Sequence, residues 1–115
     1  MVDDVAPLRR LLSVILAEAG YEVIEASDGD EAVEAVRQRA PCLVITDLVM
    51  PQKEGLETIA EVRRLAPHAK IIAISGAFGG RFLNIASHLG ADATLAKPIS
   101  ADVLLQTVSD TLASD

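Results

Sequence analysis

Short apolar runs alternate with amphipathic helical patterns along the 115 residues of the chain. The segments 43–45 and 71–74 are wholly apolar and rich in β-branched residues, which is typical of strands buried on both faces. Leu8 and Leu12 begin a helical apolar pattern ahead of them. Because parallel strands need crossovers of helical length, five strand and helix repeats predict one parallel sheet with helices on both faces. We expect a single domain over residues 1–115, with no output domain.

Turn and capping residues mark the ends of the predicted helices. Pro7 can begin the first helix and Gly20 can end it. The segment 27–30, Ser-Asp-Gly-Asp, combines turn and cap chemistry and leads into a second helix that Pro41 ends. The polar segment 52–55 is predicted to be a loop before the third helix.

The fourth and fifth helices are each expected to carry one apolar face. Gly90 ends the fourth helix and Ser100 caps the fifth. The apolar face of the fourth helix carries Phe82, Ile85, Ala86 and Leu89, and the inward face of the fifth carries Leu104, Thr107, Val108 and Leu112.

The composition argues against several classes of function. The net charge of −7 disfavours direct nucleic-acid binding, which needs a basic face. Cys42, the one cysteine, lies in a predicted strand and cannot form an internal disulfide. The few aromatic residues, Tyr21, Phe78 and Phe82, do not suffice for an aromatic-lined cofactor pocket. Because no apolar run is long enough to cross a membrane and no signal segment begins the chain, we expect a cytoplasmic protein without membrane contact.

Charged and polar residues follow the ends of the predicted strands. Asp3 and Asp4 follow the first strand, Asp47 the third, Ser75 the fourth and Lys97 the fifth. Because a parallel sheet brings these strand ends to one edge, the five side chains should converge there. Three carboxylates, a hydroxyl and an ammonium suit a divalent cation and a phosphoryl group. Taken singly, each acidic residue could be only a loop cap or a partner of a helix dipole.

Several short motifs, spread along the chain, together carry a family resemblance. They are Asp3-Asp4, Arg9, Asp47 within Asp-Leu-Val-Met-Pro, Gly55, Ser75-Gly76, Gly90-Ala91-Asp92 and Lys97-Pro98. With them, the chain resembles a response-regulator receiver domain from end to end. The resemblance implies an α/β, flavodoxin-like (βα)5 fold, which is a doubly wound parallel sheet of strand order 2-1-3-4-5.

The resemblance also implies a phosphoacceptor in a two-component phosphorelay. Asp47 would take a phosphoryl group from a phosphohistidine on a histidine kinase or a histidine phosphotransfer protein. Ser75 would close on the phosphoryl group, and Lys97 would pair with it. The implied Mg²⁺ ligands are Asp4, Asp47 and the backbone carbonyl of Val49, with Asp3 helping through water. Such a domain is a signalling module rather than an enzyme, with only self-catalysed phosphoryl transfer and hydrolysis.

The expected output is a change in a protein-interaction surface. Charge added at Asp47 would shift the population between two packings of the face formed by the fourth helix, fifth strand and fifth helix. By the resemblance, this face contacts a downstream protein, and homodimer formation is left open.

The chain departs from the family pattern where the family usually has aromatic residues. Thr94 occupies the position of the aromatic on the fifth strand, and Ile99 stands in place of the Phe or Tyr that commonly follows Lys-Pro. We therefore expect output to rely on backbone movement after Ser75 or on Phe78.

The start of the chain is the second departure. Because only Met1 and Val2 precede the acidic pair, the first strand is expected to be short, or truncated from a start further upstream. A stunted strand should make the protein less stable than a version extended by a few apolar residues. Val5 replaces an acidic or amide residue and should weaken Mg²⁺ binding.

Three other functions are compatible with this fold class. A receiver-like binding platform that is never phosphorylated is the main alternative, although such a platform needs none of the five converging side chains. An aspartate-nucleophile phosphohydrolase would usually need a second acid at the position of Val49. A flavin-binding protein would need phosphate-cradling loops and stacking aromatics, which the sequence lacks.

Overall fold

The computed structural model describes most of the chain. The described residues are 1–2, 6–21, 25–26, 28–39, 43–47, 52–75, 80–97 and 99–113. Within them lie the elements α1 (Ala6–Glu18), α2 (Gly29–Arg39), β1 (Leu43–Asp47), α3 (Gln52–Leu65), β2 (Lys70–Ser75), α4 (Gly80–Leu89), β3 (Ala93–Ala96) and α5 (Ala101–Ala113). The three strands correspond to the third, fourth and fifth strands expected from the sequence. None of the helices in these ranges has the length and apolar character needed to span a bilayer.

The sheet is parallel and has the strand order that the resemblance implies. β1 pairs with β2, and β2 pairs with β3, both in parallel. Val2 forms parallel bridges with Thr46 of β1 on one side and with Ala26 on the other. The spatial order is therefore Ala26, Val2, β1, β2, β3, which confirms the predicted order 2-1-3-4-5.

Each face of the sheet contributes to a separate apolar core. Because successive residues of a strand point to opposite faces, β1 and β2 bury side chains on both sides. One core joins these strands to α2, α3 and α4, and the other joins them to α1 and α5. The first core includes Val36, Val44, Ile59, Val62, Ile71, Ala73 and Ala86. The second includes Leu12, Leu16, Ile45, Ile72, Ile74, Leu104 and Val108.

The helix ends use the caps expected from the sequence. The Asp28 carboxylate accepts a hydrogen bond from the Glu31 amide at 2.9 Å at the start of α2. The Ser100 hydroxyl accepts one from the Val103 amide at 3.1 Å at the start of α5. Gly90 follows α4 with a φ of 120°, a conformation that side chains with a Cβ rarely adopt.

Two predictions about the helices were wrong. The segment 52–55 is not a loop but the first turn of α3, because Gln, Lys and Glu favour a helix and outweigh the single glycine. In α5, Leu112 is 36% exposed, and Thr111 is buried in its place. The buried residues Leu104, Val108 and Thr111 follow the helical spacing i, i+4, i+7, which leaves position i+8 at the margin of the inward face.

The apolar face expected for α4 is buried only in part. Ala86 is fully buried, whereas Ile85 and Leu89 are 41% and 37% exposed. The predicted positions of Cys42 and Phe78, and the length of the first strand beyond Val2, lie outside the described residues.

Candidate functional site

Asp47 lies at the carboxyl end of β1 and is fully buried. Its backbone amide donates to the Val2 carbonyl at 2.9 Å. The Lys97 ammonium donates a hydrogen bond to Asp47 Oδ2 and forms an ion pair with it. A buried carboxylate is costly without such compensation, so this pairing accounts for a charged group inside the sheet edge.

Lys97 reaches Asp47 because β3 pairs with β2 in a fixed register. In the strand register, Ala96 lies opposite Ser75, and the next residue is Lys97. The Lys97 amide donates to the Ser75 carbonyl at 3.1 Å, which extends the pairing one residue past β3. Ser75 itself is 2% exposed. The structure thus brings Asp47, Ser75 and Lys97 to the same edge of the sheet, as predicted, while their chemical roles remain predictions.

The predicted Mg²⁺ ligands are described only in part. Asp3, Asp4 and Val49 lie outside the described residues. Val2, which precedes the acidic pair, is tied to β1 by two hydrogen bonds, from its amide to the Ile45 carbonyl at 2.8 Å and from the Asp47 amide to its own carbonyl. Among the residues that the structure describes, no three acidic, histidine or cysteine side chains form a group that could hold a metal ion.

Arg9, one of the resemblance residues, forms an ion pair with Glu25. Its Nε atom donates to Glu25 Oε1 at 3.1 Å, which links α1 to the chain segment beside Ala26. The α-amine of Met1 lies near this pair. Burial lowers the pKa of the Met1 α-amine from 8.0 to about 6, while the Glu25 charge opposes this shift and the Arg9 charge adds to it.

Thr94 occupies the place where the family usually has an aromatic residue. It lies in β3 opposite Ala73 and is partly buried. Sequence reasoning assigned no role to Arg63, although its side chain makes several hydrogen bonds with the segments that precede β2 and β3. The local sequence contains no sign of these contacts, since two partners of Arg63, Gly90 and Asp92, lie 27 and 29 positions further along the chain.

The family model described as "Response regulator receiver domain" matches residues 1–109 of the chain. The chain belongs to this family. A curated relative is the chemotaxis protein CheY of Bacillus subtilis, which is 36% identical over 114 residues, covering 97% of this chain and 94% of that protein.

Solved receiver domains have the same fold. The receiver domain of NtrX from Brucella abortus superposes with a TM-score of 0.92 at 31% identity, covering 99% of this chain and 97% of that one. A response regulator from Burkholderia pseudomallei matches with a TM-score of 0.85 at 27% identity, covering 98% of this chain and 64% of that one. The latter structure contains a phosphorylated aspartic acid, a calcium ion and citrate.

These matches confirm the resemblance and the flavodoxin-like fold. The chain is a response-regulator receiver domain, with the phosphoacceptor role in two-component signalling that this family shares. Receiver domains generally bind Mg²⁺ at an acidic pocket and interact with histidine kinases and downstream effectors.

Proposed function

We propose that Asp47 is the phosphoacceptor of this receiver domain. Its donor is a phosphohistidine on a histidine kinase or a histidine phosphotransfer protein. The observation that carries the proposal is the contact between the Lys97 ammonium and the fully buried Asp47 carboxylate at the carboxyl edge of the sheet. This edge is where parallel α/β sheets bind ligands.

The transfer needs a nucleophile and compensation for negative charge. A carboxylate oxygen of Asp47 forms a bond to phosphorus while the bond between phosphorus and the histidine nitrogen breaks, and the bonding electrons leave with the histidine. The Lys97 ammonium then pairs with a phosphoryl oxygen, which offsets charge that would otherwise build up at the buried edge. Ser75, whose hydroxyl belongs to the neighbouring strand end, donates a hydrogen bond to another phosphoryl oxygen.

The Mg²⁺ site proposed here consists of Asp4, Asp47 and the backbone carbonyl of Val49, with Asp3 acting through water. Carboxylate and carbonyl oxygens are the hard ligands that Mg²⁺ prefers, so the donor set fits the ion. The hydrogen bond between Asp47 and Val2, the residue before the acidic pair, supports this assignment. When bound, Mg²⁺ would neutralise charge on the phosphoryl oxygens.

The proposed output surface is the face formed by α4, β3 and α5. Exposed apolar side chains on its helices include Ile85 and Leu89 of α4 and Val103 of α5, which is 51% exposed. Phosphorylation adds a charge of about −1.5 to −2 close to this face. Since Thr94 replaces the usual aromatic, we propose that the change passes through the backbone after Ser75 or through Phe78. The partner is a downstream protein, or a second copy of the chain.

Incubation with acetyl phosphate and Mg²⁺ tests the phosphoacceptor. Intact mass spectrometry should show the gain of one phosphoryl group on the wild type and none on Asp47→Asn. Asp102→Asn, which changes an exposed carboxylate on α5, is the matched control and should be modified like the wild type. Equal modification of Asp47→Asn would refute the proposal, and absence of modification in the wild type would favour the binding-platform alternative.

A further inference from the structure

We infer that Arg63 and Asp92 are positioning residues for Lys97. They fix the start of β3, so that the far end of this short strand holds the Lys97 ammonium against the Asp47 carboxylate. The inference rests on the proposed function of Lys97 and Asp47. It concerns a different part of the molecule, at the amino ends of β2 and β3.

Arg63 uses all five N–H groups of its guanidinium. Nε and Nη2 donate to the Gly90 carbonyl at 3.2 and 2.8 Å. Nη1 donates to the carbonyls of Pro67 and Ala69 at 2.9 and 2.7 Å. Nη2 also donates to Asp92 Oδ2 at 2.7 Å. These five bonds, here called the Arg63 network, join the end of α3 to the segments that precede β2 and β3.

Asp92 ties the segment before β3 to the start of β2 in two ways. Its backbone amide donates to the Ile71 carbonyl at 2.7 Å, and its carboxylate accepts from the Ile71 amide at 2.8 Å. Ile71 is fully buried, so this attachment point is itself fixed by the core. The register that follows pairs Ala93 with Ile72.

β3 needs such an anchor because it is short and has one neighbour in the described sheet. It contains four residues and pairs only with β2 there. A one-residue slip in a strand turns every side chain to the opposite face. Lys97 lies five residues after Asp92, about 17 Å along an extended strand. A slip at Asp92 would therefore remove the Lys97 ammonium from the Asp47 carboxylate.

Gly90 shows how closely the Arg63 side chain fills this corner. A Cβ at Gly90 would lie 3.1 Å from both Cγ and Nε of Arg63. The Gly90 carbonyl accepts two of the five bonds, so its backbone cannot move away without losing them. The arginine and the glycine thus form one close contact at the segment that leads into β3.

The test compares Arg63→Met and Asp92→Asn with two matched controls. Arg64→Met removes the neighbouring arginine, which pairs with Glu61 instead. Val62→Ala weakens the core from the preceding position of α3 without touching the network. Two quantities are measured on folded protein: the rate of Asp47 phosphorylation by acetyl phosphate with saturating Mg²⁺, and the NMR signal of the Lys97 ammonium in the unmodified protein.

Arg63→Met and Asp92→Asn should each slow phosphorylation about tenfold, since a displacement of about 1 Å can cost a reaction up to a hundredfold. Both should also shift or broaden the Lys97 ammonium signal. Arg64→Met and Val62→Ala should match the wild type in both measurements. Asp92→Asn keeps the side-chain shape, which provides a second variant if Arg63→Met does not fold.

Wild-type rates and an unchanged Lys97 signal in both variants would overturn the inference. An equal slowing in Val62→Ala would also overturn it, because the effect would then follow from lost stability alone. If the wild type is not phosphorylated, the proposed function fails, and the Lys97 signal in the unmodified variants still decides whether Arg63 and Asp92 position this side chain.

Discussion

Replacing Thr46 with valine should stabilise the protein. Thr46 lies one residue before Asp47 and is fully buried, and its hydroxyl has no hydrogen-bond partner among the described residues. Because side chains alternate along a strand, Thr46 faces the same core as Val44, which α2 and α3 cover. Valine has nearly the same shape as threonine but carries no polar group.

The expected gain follows from the cost of the unpaired hydroxyl. Leaving a buried donor or acceptor unsatisfied costs about 1–3 kcal/mol. Since Thr46 is 0% exposed, bulk water does not reach its hydroxyl, and the added methyl group is buried as well. We expect Thr46→Val to raise the free energy of unfolding by about 1–2 kcal/mol. For a domain of this size, each 1 kcal/mol raises Tm by about 4 °C.

Urea unfolding monitored by circular dichroism measures the change, with Thr58→Val as the matched control. Thr58 in α3 is also a buried threonine, but it has an interaction partner. Thr58→Val should therefore lower the urea midpoint, whereas Thr46→Val should raise it at an unchanged m value. A lower midpoint for Thr46→Val would refute the reasoning, because it would mean that the Thr46 hydroxyl makes a hydrogen bond in the folded protein.

Three further predictions concern pH, backbone conformation and charge. The folded pKa of the Met1 α-amine, about 6, lies below its usual 8.0, so the unfolded chain binds more protons between these values. Stability should therefore rise by about 2 kcal/mol from pH 6 to pH 8, and an acetylated N-terminus, compared by urea unfolding at both pH values, should lose this contribution. Gly90→Ala should destabilise the protein more than Gly20→Ala, because both have positive φ but only Gly90 lies against Arg63; equal urea midpoints would contradict this. Lys97→Met should slow phosphorylation by acetyl phosphate about 100-fold or more, and a wild-type rate would show that this ammonium does not assist the transfer.

The sheet could be predicted because its signals are local and repeated. Apolar runs at β1 and β2, separated by helical patterns, are sufficient for a parallel order, and that order alone places Asp47, Ser75 and Lys97 at one edge. The start of α3 was missed because Gly55 in a polar segment favoured a loop. The exposure of Leu112 was missed because apolar character does not show which side of a helix the neighbouring strands cover.

The Arg63 network could not be predicted for a different physical reason. An arginine in the last turn of a helix normally interacts with solvent or with the carbonyl groups of that turn. Its role here depends on Gly90 and Asp92, which only the folded chain brings near. The Mg²⁺ ligands Asp3, Asp4 and Val49 remain predictions, since they lie outside the described residues.

Two of the contacts that hold Lys97 are chemically independent of each other. Its amide is bonded to the Ser75 carbonyl, and its side chain ends at the Asp47 carboxylate. A phosphoryl group that draws the ammonium away from Asp47 leaves the hydrogen bond between the Lys97 amide and the Ser75 carbonyl in place. The lysine can therefore change partners by rotating about its own methylene bonds, on the fast timescale of side chains, without any displacement of the main chain of β3.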